Sequence, residues 1–272
     1  MNIPEFIIDD MNWSFSRLQS YRTCPYSWYL QYIKKAKGKQ NAFAEYGTLV
    51  HETLEKYSKG ELLDFMLADY YKENFDKVIT YNFPPNKYVD LRQSYFEKGI
   101  NYLENFQGFN TYKEILGVEK EVKFNIGKYK FIGYIDLLVK DENDNLQVID
   151  HKSHNLKPRS NRKKTTKGDE ELNCFLRQLY LYSVPLKPEY NKYPAYLNFN
   201  VFRQGLWIHE EFKEEKLEEA KKWAIDTIEE IKNAETFPAY YDDFFCNQLC
   251  NFRNICGYKY AKNKDKINKK HK

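Results

Sequence analysis

No stretch of the 272 residues approaches the roughly 20 consecutive apolar positions that span a bilayer, so no transmembrane helix is expected. The N-terminal MNIPEFIIDD also lacks the basic, apolar, small-residue order of a secretory signal, and a cytoplasmic address is the expectation. Cysteine is sparse and odd in number (Cys24, Cys174, Cys246, Cys250 and Cys256), which argues against a disulfide framework. Internal repeats are absent, and so is any linker rich enough in Pro or Gly to divide the chain. A single domain over residues 1–256 is therefore expected, followed by a basic, flexible tail over 257–272. Charge of one sign is lacking as well: the net charge is +4, but the tail holds seven lysines and one aspartate, which leaves residues 1–256 at −2. Total charge therefore says little about partners, and local patches have to carry that argument.

What is present is ample material for a core, with 42% apolar and 17% aromatic residues. Ser14 is a candidate cap for a helical segment, SFSRLQSYRTCPYSWYLQYIKK, that Pro25 splits in two. Phe43 to Tyr57 forms another helical stretch, on which Gly47 and His51 share a face. Two more follow, Glu61 to Ile79 and Lys87 to Phe106, separated by Phe83-Pro84-Pro85. From about residue 111 the period changes. ILGVEKEVKFNI, KFIGYIDLLV and LQVID read as a meander of strands, with a helix from Asp169 to Tyr182 after them. Strands from Ala195 to Phe202 and Leu206 to Glu210 meet at Gln204-Gly205, and an amphipathic helix spans Lys213 to Ala234. The fold class is α/β: a mixed central sheet flanked by helices over about 111–235, a helical part over about 1–110, and a cysteine segment over 236–256.

The stretch LQVIDHKSHNLKPRS ends an apolar strand in two charges, Asp150 and Lys152, that resist burial. GYIDLL places Asp136 in the preceding strand, where a hairpin can bring it beside Asp150. Two adjacent carboxylates repel unless a cation lies between them, and a hard, oxygen-preferring ion such as Mg²⁺ or Mn²⁺ resolves the conflict. Lys152 shares the strand face of Asp150 and can orient water or contact a phosphate. An isolated acid-x-lysine is most often a strand-end cap beside a solvated lysine. Here it keeps company with His51 in YGTLVHETLE and with Gln178 and Tyr182 in the helix that follows. From Lys152 to Gly168 there are seven lysines and arginines and no acid, which makes Lys157, Arg159, Arg162, Lys163 and Lys164 candidates for phosphate contact. The 24 Tyr and 19 Phe are mostly core material, and no base-stacking residue is assigned.

In these motifs the chain resembles the PD-(D/E)XK nucleases of the RecB type, which include the CRISPR-adaptation nucleases with an iron–sulfur cluster. The resemblance rests on SRLQSYRTCPYSWYLQYI, the GTLVH box, GYIDLL, VIDHK and the Q-x-x-x-Y pattern of RQLYLYS. It implies the restriction-endonuclease-like fold. It also implies that His51, Asp136, Asp150 and the backbone carbonyl of His151 ligate a divalent ion. Lys152 would then position or activate the attacking water, and Gln178 and Tyr182 would orient the site and contact DNA.

The cysteines fit the same family. Three of them crowd into residues 246–256, as metal ligands do, and the clustered branch joins one N-terminal cysteine to three C-terminal ones around a four-iron, four-sulfur centre. The counterparts are Cys24, Cys246, Cys250 and Cys256. CNQLC departs from the family by holding three residues, not two, between its cysteines. Zinc on the four thiolates is the rival, followed by plain buried thiols. Cys174 is expected to be an ordinary helix or core residue. The implied activity is metal-dependent DNA hydrolysis, as an exonuclease on single strands or ends, in repair, recombination or CRISPR adaptation. The alternatives are an endonuclease of the same fold and a non-cleaving DNA-binding subunit.

Overall fold

The structure is a computed structural model that describes residues 8, 10–109 and 111–260. Most of the basic tail expected over 257–272 lies outside the described residues. Helix α1 (Phe15–Thr23) begins where the Ser14 hydroxyl accepts the Arg17 N–H at 3.2 Å. The backbone turns extended at Cys24, and Pro25 opens α2 (Pro25–Tyr32) at a position that needs no donor. Asn41 caps α3 (Ala42–Ser58) by accepting the Ala44 N–H at 3.0 Å. The helix expected from Glu61 starts later, as α4 (Leu67–Val78), because the chain passes Gly60 at φ +74° and is extended at Leu63. Helix α5 (Leu91–Glu104) likewise waits for its cap, Asp90. These helices share a core of their own built on Leu49, Leu54, Tyr71, Phe75, Tyr95 and Leu103.

Strands β1 (Glu114–Ile126), β2 (Tyr129–Lys140) and β3 (Leu146–His151) form the expected antiparallel meander. Helix α6 (Lys167–Ser183) and a short α7 (Leu186–Tyr190), which the sequence did not announce, cross over to β4 (Tyr196–Val201), parallel to β3. A tight turn, Phe202–Gln204, and Gly205 at φ +59° return the chain as β5 (Leu206–Glu211), and α8 (Glu214–Lys232) follows. The five strands lie in chain order in one mixed sheet flanked by helices.

Alternation along the strands buries both faces of the sheet. The pair Leu138 and Val148 joins the main core with Leu18 of α1, Leu176 and Leu179 of α6, and Ile228 of α8. The next pair, Leu137 and Ile149, packs under Phe109 on the other side. Phe202, at the end of β4, inserts into the helical core and so ties the helices to the sheet. Among the described residues no helix is long and apolar enough to cross a membrane.

Candidate active site

The sheet register brings the acids together. Asp136 sits one step beyond the ladder pair Leu137–Ile149, which places it beside Asp150 on β3. On the other side of β2, the pairs Val118–Leu137 and Lys120–Ile135 bracket Glu119 opposite Asp136. Three carboxylates thus line up across β1, β2 and β3, an arrangement that repels itself in the absence of cations. The His151 N–H holds Asp136 Oδ2 at 2.7 Å, and His51 reaches the same oxygen from α3 with Nδ1 at 3.6 Å. The His51 ring meets Phe202 and His151 edge-on, each at 5.7 Å.

One ligand atom each from His51, Glu119 and Asp136 lies within 4.8 Å of the others. These residues line an open cleft of about 570 Å³, together with Glu52, Glu55 and Ser153. Burial, then the Asp150 charge, holds the Asp136 carboxyl well above the usual carboxylate range. Glu119 is raised by burial and then by Glu55, against the pull of Lys59. Burial lowers the His51 imidazole, which therefore offers a neutral ring nitrogen near pH 7. Hard oxygen donors with unbalanced negative charge beside a neutral imidazole suit Mg²⁺ or Mn²⁺.

Asp150 stands beside this triad and is occupied differently. Its buried Oδ2 meets Lys152 Nζ at 2.8 Å, as an ion pair that lacks the alignment of a directional hydrogen bond. Lys152 also donates to Gln178 Oε1 at 2.9 Å, and its ammonium lies 5.4 Å from the Phe175 ring centre. Tyr182 is buried, and its ring packs against Gly133: a Cβ there would fall 2.2 Å from Tyr182 Cε1. Burial keeps Tyr182 from the cleft surface. Gly47 gives similar room on α3, where an added Cβ would crowd Ser153 Oγ at 3.1 Å.

The basic segment leaves the site as an exposed loop pinned at three points. Leu156 is buried and donates its N–H to Gln204 Oε1 at 2.8 Å. Arg159 is engaged by both carboxylate oxygens of Glu210, at 2.7–3.1 Å, and by Asn173. Asp169 accepts from the backbone N–H and hydroxyl of both Ser160 and Thr166, and these four bonds hold its carboxyl far below its ordinary range. Lys157, Arg162, Lys163 and Lys164 remain exposed.

Cys24, Cys246, Cys250 and Cys256 meet at one small pocket walled by Tyr26, Leu30, Phe245 and Phe252. Backbone bonds from Lys39 to Asn251 and from Tyr26 to Pro238 stitch the N-terminal helices to this segment. Burial raises the thiols of Cys24, Cys246 and Cys250. Among the described residues, no three of these cysteines have their sulfurs all within 4.8 Å of one another. Thiolates on one zinc sit about 3.8 Å apart, given bonds of about 2.3 Å, whereas a cluster spreads its thiolates over separate irons. Cys174 is a half-buried helix residue near Gln19 and Arg177.

The residue that sequence reading missed is Glu119. In GVEKEV it looks like the solvent side of an alternating strand. The available signal was Gly117, since a lone glycine in a strand marks a bulge. The β1 register slips between Ile115 and Gly117, and Glu119 itself takes a left-handed φ of +48°. A comparison with curated proteins found no match. The profile of the PD-(D/E)XK nuclease superfamily matches residues 12–257. With nearly its whole length matched, the chain belongs to the PD-(D/E)XK nuclease superfamily.

Proposed function

We propose that this protein is a divalent-metal-dependent deoxyribonuclease of the RecB type, acting as an exonuclease on single-stranded DNA or DNA ends. The observation that carries the reading is one open cleft that combines a carboxylate–imidazole donor set with an ammonium clamped beside it. A Mg²⁺ or Mn²⁺ held by these residues would supply positive charge to the phosphate and make water more acidic. His51, Asp136, Asp150 and the His151 carbonyl are the ligands that the family pattern assigns, and Glu119 joins them by position. Lys152 has three N–H donors: Gln178 takes one and Asp150 faces the ammonium as an ion pair, which leaves donors for a phosphate oxygen or the attacking water. Gln178 keeps that ammonium in place. Lys157, Arg162, Lys163 and Lys164 hold the DNA backbone, with Arg159 fastening their loop to β5 through Glu210.

Cys24, Cys246, Cys250 and Cys256 hold a four-iron, four-sulfur cluster in this reading. Their convergence on one common pocket supports it. The test is cleavage of end-labelled single- and double-stranded DNA with Mg²⁺, Mn²⁺ or EDTA. The parent protein should degrade DNA only with metal, and Lys152→Ala should bind DNA but leave it intact. Equal cleavage by both would overturn the assignment. Circular single-stranded DNA should survive, and its cleavage would mark an endonuclease.

A further inference from the structure

The turn Phe202–Gln204 that closes β4 is wedged between the cleft and the basic loop. Phe202 touches the His51 ring, and Gln204 anchors Leu156 in the loop that leaves Lys152. Between them stands Arg203, half-buried, with its guanidinium 4.8 Å from the centre of the Tyr95 ring. Arg22, Arg92, Arg159 and Arg253 all satisfy their guanidinium groups with carboxylate or carbonyl oxygens. Arg203 has neither a hydrogen bond nor an ion pair among the described residues, and its Nε is buried without a partner. The hydroxyl of the fully buried Tyr46, whose ring meets Tyr95 edge-on at 4.8 Å, also lacks a partner.

A partly desolvated guanidinium without an anion is unfavourable, and its planar fork suits two phosphate oxygens. We propose that Arg203 forms an anion subsite for a backbone phosphodiester of the bound DNA strand, adjacent to the phosphate being cut. The proposal rests on the nuclease reading and extends it by giving the strand a direction out of the cleft. From the cation site the strand follows the turn after β4 to Arg203 and meets the basic loop that Gln204 holds.

The test measures binding of a fluorescent single-stranded oligonucleotide by anisotropy, in EDTA so that no strand is cut, over a series of salt concentrations. Loss of one phosphate contact from a single strand should lower the slope of log K against log salt by about 0.7, and affinity at 0.1 M salt by about fivefold. Arg203→Gln should show both losses, while Arg203→Lys should keep most of the slope. Arg92→Gln, which breaks an ion pair to Asp76 elsewhere, should show neither. Melting curves confirm that each variant is folded. An unchanged slope in folded Arg203→Gln would overturn the subsite, even if affinity fell. Absence of DNA binding by the parent protein would bring down the nucleic-acid reading itself.

Discussion

Replacing Glu119 by glutamine keeps the side chain's size and removes one negative charge from the cleft. Three donor atoms within 4.8 Å of one another leave a point no more than about 2.8 Å from each, from 4.8/√3. Mg²⁺ bonds to oxygen at about 2.0–2.1 Å, so rotamer adjustments of well under 1 Å close the site around an ion. Removing a group that merely supports a ligand typically costs about 10–100-fold in metal affinity. Loss of an anionic ligand should cost at least about tenfold, or roughly 1.4 kcal/mol. Calorimetric titration of the parent protein and Glu119→Gln with Mn²⁺ reads the difference directly, without DNA or turnover. Glu55→Gln serves as the control, because Glu55 lines the same cleft but is held by Lys59 at 2.5 Å. Its affinity should stay within about threefold of the parent. If Glu119→Gln bound Mn²⁺ as tightly as the parent, Glu119 would be a bystander on β1. If the parent bound none, the metal centre itself would be wrong.

Asp136→Asn should raise the melting temperature of the metal-free protein at pH 8, since burial and Asp150 penalise the ionised carboxylate; each kcal/mol gained adds about 2–4 °C. That advantage is fully present above the raised folded pKa and vanishes below the ordinary carboxylate range, where Asp136 is protonated in both states, so equal melting at pH 8 would refute it. Gly133→Ala should cost about 1–3 kcal/mol in urea unfolding by driving a methyl into Tyr182, and nuclease activity should fall with it through Gln178 and Lys152. Asp169→Ala should free Ser160 and Thr166, which would show as faster tryptic cutting at Arg162, Lys163 and Lys164 in the folded protein. Protein purified without oxygen should be brown with iron and sulfide in equal amounts, and Cys24→Ser should lose both; a colourless preparation with one zinc per chain would instead favour the tetrathiolate site.

How far the sequence could be read depended on how local each determinant was. Caps and breakers act within a few residues, so Ser14, Pro25 and the Gln204-Gly205 turn were legible, and so was the meander of three period-2 strands. The delay of α4 to Leu67 was not, because propensity over Glu61–Met66 favours a helix and only the left-handed Gly60 and the extended Leu63 stop it. In the site, Asp136, Asp150 and Lys152 were legible since each puts a charge into or at the end of an apolar run, a conflict that local patterning exposes. Glu119 raises no such conflict in its own strand. Its meaning arises only when β1 pairs with β2 in the one register that sets it opposite Asp136, a contact between residues 17 apart in sequence. Arg159 shows the converse. Its sequence neighbours suggest a free phosphate-binding cation, but β5 supplies Glu210 from 51 residues away and takes up its donors. Basic residues around such a site therefore divide into those whose donors the fold takes up and those it leaves unpaired. Arg203 belongs with the second kind although no basic neighbour marks it, because only its place over the Tyr95 ring, half-buried, shows that its guanidinium has no anion among the described residues.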